Sequence, residues 1–300
     1  MTDKLTKNER RAQAREQARK MQEERRKKEQ LKKGLTVGGI IVAAVAIVAI
    51  VAVVIINSIR PPGPGPENMA ANGIVIGQDF VAERTAATPA EGEPTPTEPR
   101  EDIVQIEIYQ DYMCPACGAF DEANRATLEQ LMQSGAATLE VHPISILDRT
   151  SLGTKYSTRS ASAAACVAEY APDQFWAFNT GMYDNRPQEG TSGLTNQEIV
   201  GVAEAAGIDV SGGLADCINE GRFMSWAEDA TVRAGSQPLP GTDGVVADRT
   251  PTVIVNGERF PGAPGDAAGF QAFVTATAGS LTEAPAETEA PAESPAPSDG

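Results

Sequence analysis

The sequence predicts an α/β domain interrupted by a helical block and carried behind a single transmembrane helix. Three observations predict it. Two stretches with strand-like alternation, Val104–Tyr109 and Thr138–His142, flank a run of helical spacing that opens on Cys114-Pro115-Ala116-Cys117. An alanine-rich, mostly helical stretch of about residues 151–235 separates these from two further apolar runs joined by Asn256-Gly257. Upstream of all of them, Leu35 to Ile59 contains no charged residue.

Composition narrows the function. The 300 residues carry 25 Lys+Arg against 41 Asp+Glu, a net charge of −16. A nucleic-acid binder needs a basic face, so no nucleic-acid partner is expected. One histidine and four cysteines limit metal and nucleophile chemistry, and any Cys-His or Ser-His pair must use His142. The charge is also uneven. Residues 1–34 hold thirteen basic and six acidic residues, and beyond them Lys155 is the one lysine. Two compartments explain that split better than one.

The N-terminal elements follow in order. Residues 1–34 form a basic cytoplasmic segment, with Glu and Arg/Lys interleaved from 5 to 33 as in a charged helix. Residues 35–59 are the transmembrane helix: roughly 20 helical residues cross the hydrocarbon layer. Val and Ile dominate the run, but in lipid the backbone must satisfy its own hydrogen bonds, so helix prevails over strand. The basic flank Arg25-Arg26-Lys27-Lys28 precedes the span, which puts the N-terminus in the cytoplasm and the rest outside. A cleaved signal peptide is the competing reading, but its apolar region is shorter and ends in small residues. The chain is therefore expected at the cell membrane, held by one pass.

Residues 60–100 read as an extracytoplasmic linker rich in proline, from Arg60-Pro-Pro-Gly-Pro-Gly-Pro66 to Thr85–Arg100, with one short strand at Gly73–Gly77. The folded domain is expected over 101–280. At the far end TEAPAE occurs twice in succession within an acidic tail, residues 281–300, which has little to bury and reads as disordered.

Inside the domain, Val104, Ile106 and Ile108 alternate with polar residues as the first strand. Cys117, Phe120, Leu128, Leu131 and Met132 mark one face of a helix that Gly135 ends. Thr138–His142 is the second strand, parallel to the first as a strand–helix–strand unit requires. After the helical block, Thr250-Pro251 leads into a strand to Val255, an Asn-Gly hairpin and a strand at Glu258–Phe260. Asp266–Ala278 is the last helix.

The Cys114-Pro115-Ala116-Cys117 motif carries the chemistry. It follows a strand and opens a helix, where unpaired N–H groups and the helix dipole favour negative charge. A thiolate at Cys114 is stabilised there, with its pKa lowered. Pro115 suits the first helical turn, and Ala116 completes the dipeptide. Cys117 returns within disulfide reach, to resolve a mixed disulfide formed at Cys114. Half of a zinc site and a purely structural disulfide are the plainer alternatives. Zinc would need two more ligands, and Cys166, Cys217 and His142 form no second close pair.

The succession of strand, CPAC, helix, strand, helical insertion, Thr-Pro, hairpin and final helix resembles the DsbA-like thiol:disulfide oxidoreductases over roughly residues 100–280. The resemblance implies a thioredoxin-like fold with an inserted helical domain. It also implies catalysis by a Cys114–Cys117 disulfide, with no other cofactor and no metal, and a cis-proline loop at Thr250-Pro251 that docks substrate backbone. Many members have a histidine inside CxxC; Pro115-Ala116 here leaves the helix-end N–H groups as the main donors. The residues before the proline are Asp248-Arg249-Thr250, where glycine often precedes threonine.

Cys166 and Cys217 lie in two helical segments of the insertion. Free thiols outside the cytoplasm beside an oxidant are at risk, so a structural disulfide between them is expected; two separately buried free cysteines are the alternative. His142 reads as a structural or surface histidine rather than a catalytic one. Asp111 reads as a strand end, with tuning of the thiol pair as the alternative, and Phe175, Trp176 and Phe178 as packing of the helical block, with a substrate-binding patch as the alternative. The expected activity is protein thiol:disulfide exchange, oxidising cysteine pairs in exported proteins, with a membrane reoxidant of the DsbB or vitamin-K-epoxide-reductase (VKOR) kind as redox partner. The alternatives are a reductase or isomerase of the same fold, or a binding or chaperone module on that scaffold.

Overall fold

In the computed structural model, the described residues are 19–21, 25–26, 63–89, 93–100 and 102–281. Residues 19–21 and 25–26 are helical and exposed. The predicted span at 35–59 and the tail beyond 281 lie outside the described residues. Among those described, no helix is long and apolar enough to cross a membrane.

The domain is built on a five-stranded sheet in the order β1-β3-β2-β4-β5. These strands are β1 (Ile74–Ile76), β2 (Val104–Gln110), β3 (Ala137–Pro143), β4 (Thr252–Val255) and β5 (Glu258–Arg259). β2 and β3 are parallel, and the other three pairings are antiparallel. Helix α1 (Pro115–Ser134) connects β2 to β3 and ends where Gly135, at φ 71, takes the left-handed position and its N–H caps the Leu131 and Met132 carbonyls. Asn256 and Gly257, both at positive φ, make the two-residue turn from β4 to β5. The final helix, α7 (Ala267–Leu281), lays Phe270 on Phe120 and Phe260 edge to face.

The insertion holds α2 (Tyr156–Tyr170), α3 (Phe175–Asp184), α4 (Asn196–Ala205), α5 (Leu214–Glu220) and α6 (Met224–Ser236). Alanine lets the helices approach closely. Ala161, Ala163, Ala164, Ala165 and Ala168 of α2 are all fully or almost fully buried. Thr195 and Glu198 form a reciprocal capping box at the start of α4. Cys166 on α2 and Cys217 on α5 are disulfide-bonded, with Cα atoms 5.9 Å apart. Phe175, Trp176 and Phe178 are buried in this block, and the Trp176 indole N–H donates to Glu129 Oε1 at 3.0 Å.

One boundary differs from the sequence reading. Residues 63–89 do more than link. β1 adds to the sheet against β3, and Met69, Ile74 and Ile76 are fully buried. The Asn68 side chain donates to Ala168 O of α2 at 2.9 Å and accepts from Thr85 N–H, so the segment is sewn to the insertion. Proline density concealed this, because a few apolar residues at a sheet edge suffice to hold a chain that otherwise runs without regular structure.

Candidate functional site

β2 ends at Gln110, and Asp111–Met113 turn the chain into α1. Cys114 is the N-cap, with extended backbone at φ −70, ψ 121, and Pro115 occupies the first helical turn. Cys114 N–H donates to Asp111 O at 3.0 Å, and Gly118 N–H donates to Cys114 O at 3.1 Å. β4 runs antiparallel to β2 with Tyr109 opposite Thr252, so the loop before β4 meets the same end of the sheet. There the Thr250-Pro251 bond is cis, and the Cys114 thiol donates to Thr250 O at 3.4 Å. The Thr250 hydroxyl is buried against the pair and free of other partners among the described residues, and it favours the thiolate form of both cysteines.

The two thiols are electrostatically unlike. A hydrogen bond from the Cys117 thiol is the largest influence on Cys114, and the Thr250 side chain and then the N–H groups of Cys117 and Ala116 add to it. Together they outweigh desolvation and lower the Cys114 pKa to about 6. Cys117 is fully buried, and burial together with its bond to Cys114 pushes its pKa well above the usual thiol value. Of the two, Cys114 is the one held toward the thiolate and Cys117 the one held toward the thiol.

Asp111 does more than end a strand. It is completely buried, and its carboxylate accepts from Met113 N–H at 2.8 Å, Ser157 Oγ–H at 2.8 Å and Leu147 N–H at 3.0 Å. Burial outweighs these bonds and pushes its pKa up to about 7, with the Cys114 charge a further contribution. One side chain therefore ties the CxxC turn to α2 and to the 144–150 loop. Tyr183, from α3, is the other neighbour that spacing could not supply: burial, and then the Cys117 charge, push its pKa up. Ser157 and Tyr183 come from the insertion and Leu147 from the loop before it, and a local motif carries no signal for them.

The remaining predicted residues are placed as follows. Ala116 is half-buried beside Cys117. Asp248 and Arg249 lie exposed on the rim before Thr250, and Arg259 of β5 pairs with Asp248 at 2.8 Å. His142 stacks on Tyr109 and is not among the groups acting on either thiol. The Cys166–Cys217 bridge lies within the insertion, fully buried.

The thiol contrast has a direct test. With a pKa of about 6, alkylation of the reduced protein by iodoacetamide is expected to rise through pH 6 and level off by about pH 7.5, because the thiolate is the reacting form. A single rise centred near pH 8.5–9 would show an ordinary thiol and remove the electrostatic argument.

Against known proteins, a family model described as Thioredoxin matches residues 101–276. Oxidised DsbA from Mycobacterium tuberculosis is 26% identical, with a TM-score of 0.52 over 69% of this chain and 93% of its own. Oxidised BdbD from Bacillus subtilis is 16% identical, with a TM-score of 0.51 over 73% of this chain and all of its own, a likeness of fold. No curated protein sequence matches the chain.

Proposed function

Because the chain belongs to the thioredoxin family and is a DsbA-like protein thiol:disulfide oxidoreductase, we propose that it works as a membrane-tethered, extracytoplasmic oxidant of exported proteins. The observation that carries this reading is the contrast between Cys114, lowered to about 6, and Cys117, raised by burial. A stabilised thiolate stabilises the dithiol form, and a stabilised dithiol makes its disulfide a stronger oxidant.

The cycle follows from that contrast. A client thiolate attacks Sγ of Cys114 in the Cys114–Cys117 disulfide; the S–S bond breaks, and Cys117 leaves and takes a proton. The second client thiolate then attacks the client sulfur of the mixed disulfide and expels Cys114 as a thiolate, a good leaving group because of its low pKa. The client has lost two electrons and the enzyme has gained them. No cofactor beyond the cysteine pair is needed. A membrane reoxidant of the DsbB or VKOR type would restore the disulfide. Tethering rests on the uncharged 35–59 run and its basic flank, and substrate docking is assigned to Thr250-Pro251.

The reduction potential decides the direction. A Cys114 pKa of about 6 lies between the values near 7 and near 3.5 that accompany potentials of about −270 mV and about −120 mV in this fold. Equilibration in glutathione buffers is expected to place this couple between those limits. A value at or below about −270 mV would make the protein a reductant and overturn the oxidising assignment.

A further inference from the structure

A second cluster of ionisable groups lies on the sheet, and the thiol chemistry does not use it. The parallel register sets Glu107 opposite Glu140 and Tyr109 opposite His142. Side chains two apart share a strand face, so both carboxylates and the imidazole project from β2 and β3 on one side. His142 Nε2 is 3.3 Å from Glu140 Oε1 and 3.9 Å from Glu107 Oε2. Glu140 is 6% and His142 3% exposed. The Thr97 hydroxyl donates to the Glu140 carboxylate and the Tyr109 hydroxyl to Glu107 Oε2 at 3.3 Å, but among the described residues neither Glu140 Oε1 nor His142 Nε2 has a hydrogen-bond partner.

The imidazole is held as a ligand is held. Tyr109 stacks on it with ring centroids 4.1 Å apart. Gly73 approaches the ring so closely that a Cβ there would lie 2.7 Å from both Nδ1 and Nε2, so only glycine leaves room beside the imidazole. The Asn72 backbone carbonyl accepts a hydrogen bond from the ring, and with Nε2 unpartnered that bond falls to Nδ1. The Nε2 lone pair is left facing two carboxylates. A backbone carbonyl on the far nitrogen is the usual support of a metal-binding histidine. Buried acceptors that converge in this way need either a proton or a cation among them, and burial does raise the affinity of Glu107 and Glu140 for a proton. A cation replaces that proton and satisfies all three groups at once.

We propose that Glu107, Glu140 and His142 bind one divalent cation of the zinc type. Zinc bonds of about 2.0–2.2 Å to imidazole and carboxylate, arranged tetrahedrally, put ligand atoms roughly 3.3–3.6 Å apart. The His142–Glu140 separation of 3.3 Å meets that, and the His142–Glu107 separation of 3.9 Å is longer. The three ligand atoms lie within 4.8 Å of one another, so Glu107 moves inward to bind. Calcium takes six to eight oxygens and suits this set poorly. A cleft of about 490 Å³, lined by all three residues and by Thr97 and Arg100, gives the ion an entry path and room for a water as fourth ligand. The ion ties β2 to β3 and so braces the strand that runs into Cys114.

The test uses the full-length chain in detergent, fully oxidised so that neither Cys114 nor Cys117 can take the metal. Calorimetric titration with zinc chloride is expected to give one ion per chain, and E107Q and E140Q are each expected to weaken binding at least tenfold with unchanged circular dichroism. Cobalt(II) in place of zinc should give a tetrahedral visible spectrum without a thiolate charge-transfer band, a readout on the wild-type chain that stands even if a variant fails to fold. Absence of zinc binding to the oxidised wild-type chain would overturn the assignment. So would undiminished binding in both variants, or an octahedral cobalt spectrum.

Discussion

Cys114→Ser is expected to lose disulfide transfer entirely, down to the uncatalysed rate, and to form no adduct with client proteins. Cys117→Ser is expected to lose turnover to the same extent but to accumulate one-to-one mixed disulfides with disulfide-containing clients, because the Cys114 thiolate attacks a client disulfide, expels one client thiolate and is not displaced by Cys117. The difference follows from the two environments. Cys114 is the helix N-cap beside Thr250, with its pKa lowered to about 6. At pH 7 such a thiol is roughly nine-tenths thiolate, against about one per cent for a thiol near pKa 9. Cys117 is buried beneath it with its pKa raised, so in Cys114→Ser it cannot replace the missing nucleophile. Oxidation of a reduced model peptide gives the rates, and non-reducing electrophoresis with mass spectrometry gives the adducts. Turnover by Cys114→Ser, or client adducts on it, would end the assignment of roles. Equal retention of bound partners by both variants without any adduct would instead favour a binding module.

The second large effect concerns stability. Replacing both Cys166 and Cys217 by alanine opens a loop of 51 residues, and the chain-entropy model puts the loss at roughly 4 kcal/mol, a model-dependent figure. For a domain of this size, that lowers Tm by on the order of 10 °C. Both side chains are fully buried between α2 and α5, so the small voids left behind add to the loss. Urea unfolding of the oxidised protein and of the double variant measures it. A change below about 1 kcal/mol would mean that the bridge contributes little to holding the insertion together.

How much of this was legible depended on whether the information was local. β2, α1 and the Asn256-Gly257 turn could be read because alternation, helical spacing and turn chemistry each act within a few residues. The CxxC pair was legible for the same reason: strand, proline and helix start are contiguous. The resemblance supplied the cis proline, and compartment logic supplied the pairing of Cys166 with Cys217. Three things were not legible. The packing of Met69, Ile74 and Ile76 was hidden in a proline-rich segment whose composition resembles a linker. The contacts of Asp111 come from α2 and the 144–150 loop, far along the chain. The meeting of Glu107, Glu140 and His142 depends on the register between two parallel strands. Alternation marks Glu107 as facing away from Ile106 and Ile108, the usual mark of a wetted face, and only the tertiary fold covers it.

The sheet's two outer strands bear on the company this protein is proposed to keep. β1 has three residues and β5 has two. An unpaired strand edge is a template on which another extended chain can grow, and long flat edges invite aggregation. A catalyst whose proposed clients are still unfolded meets extended segments throughout its working life. Edges this brief offer few consecutive N–H and C=O groups for such a segment to zip onto. The proposed clients are thereby left to the cysteine pair, where the covalent bond expected to form is one the chemistry also breaks.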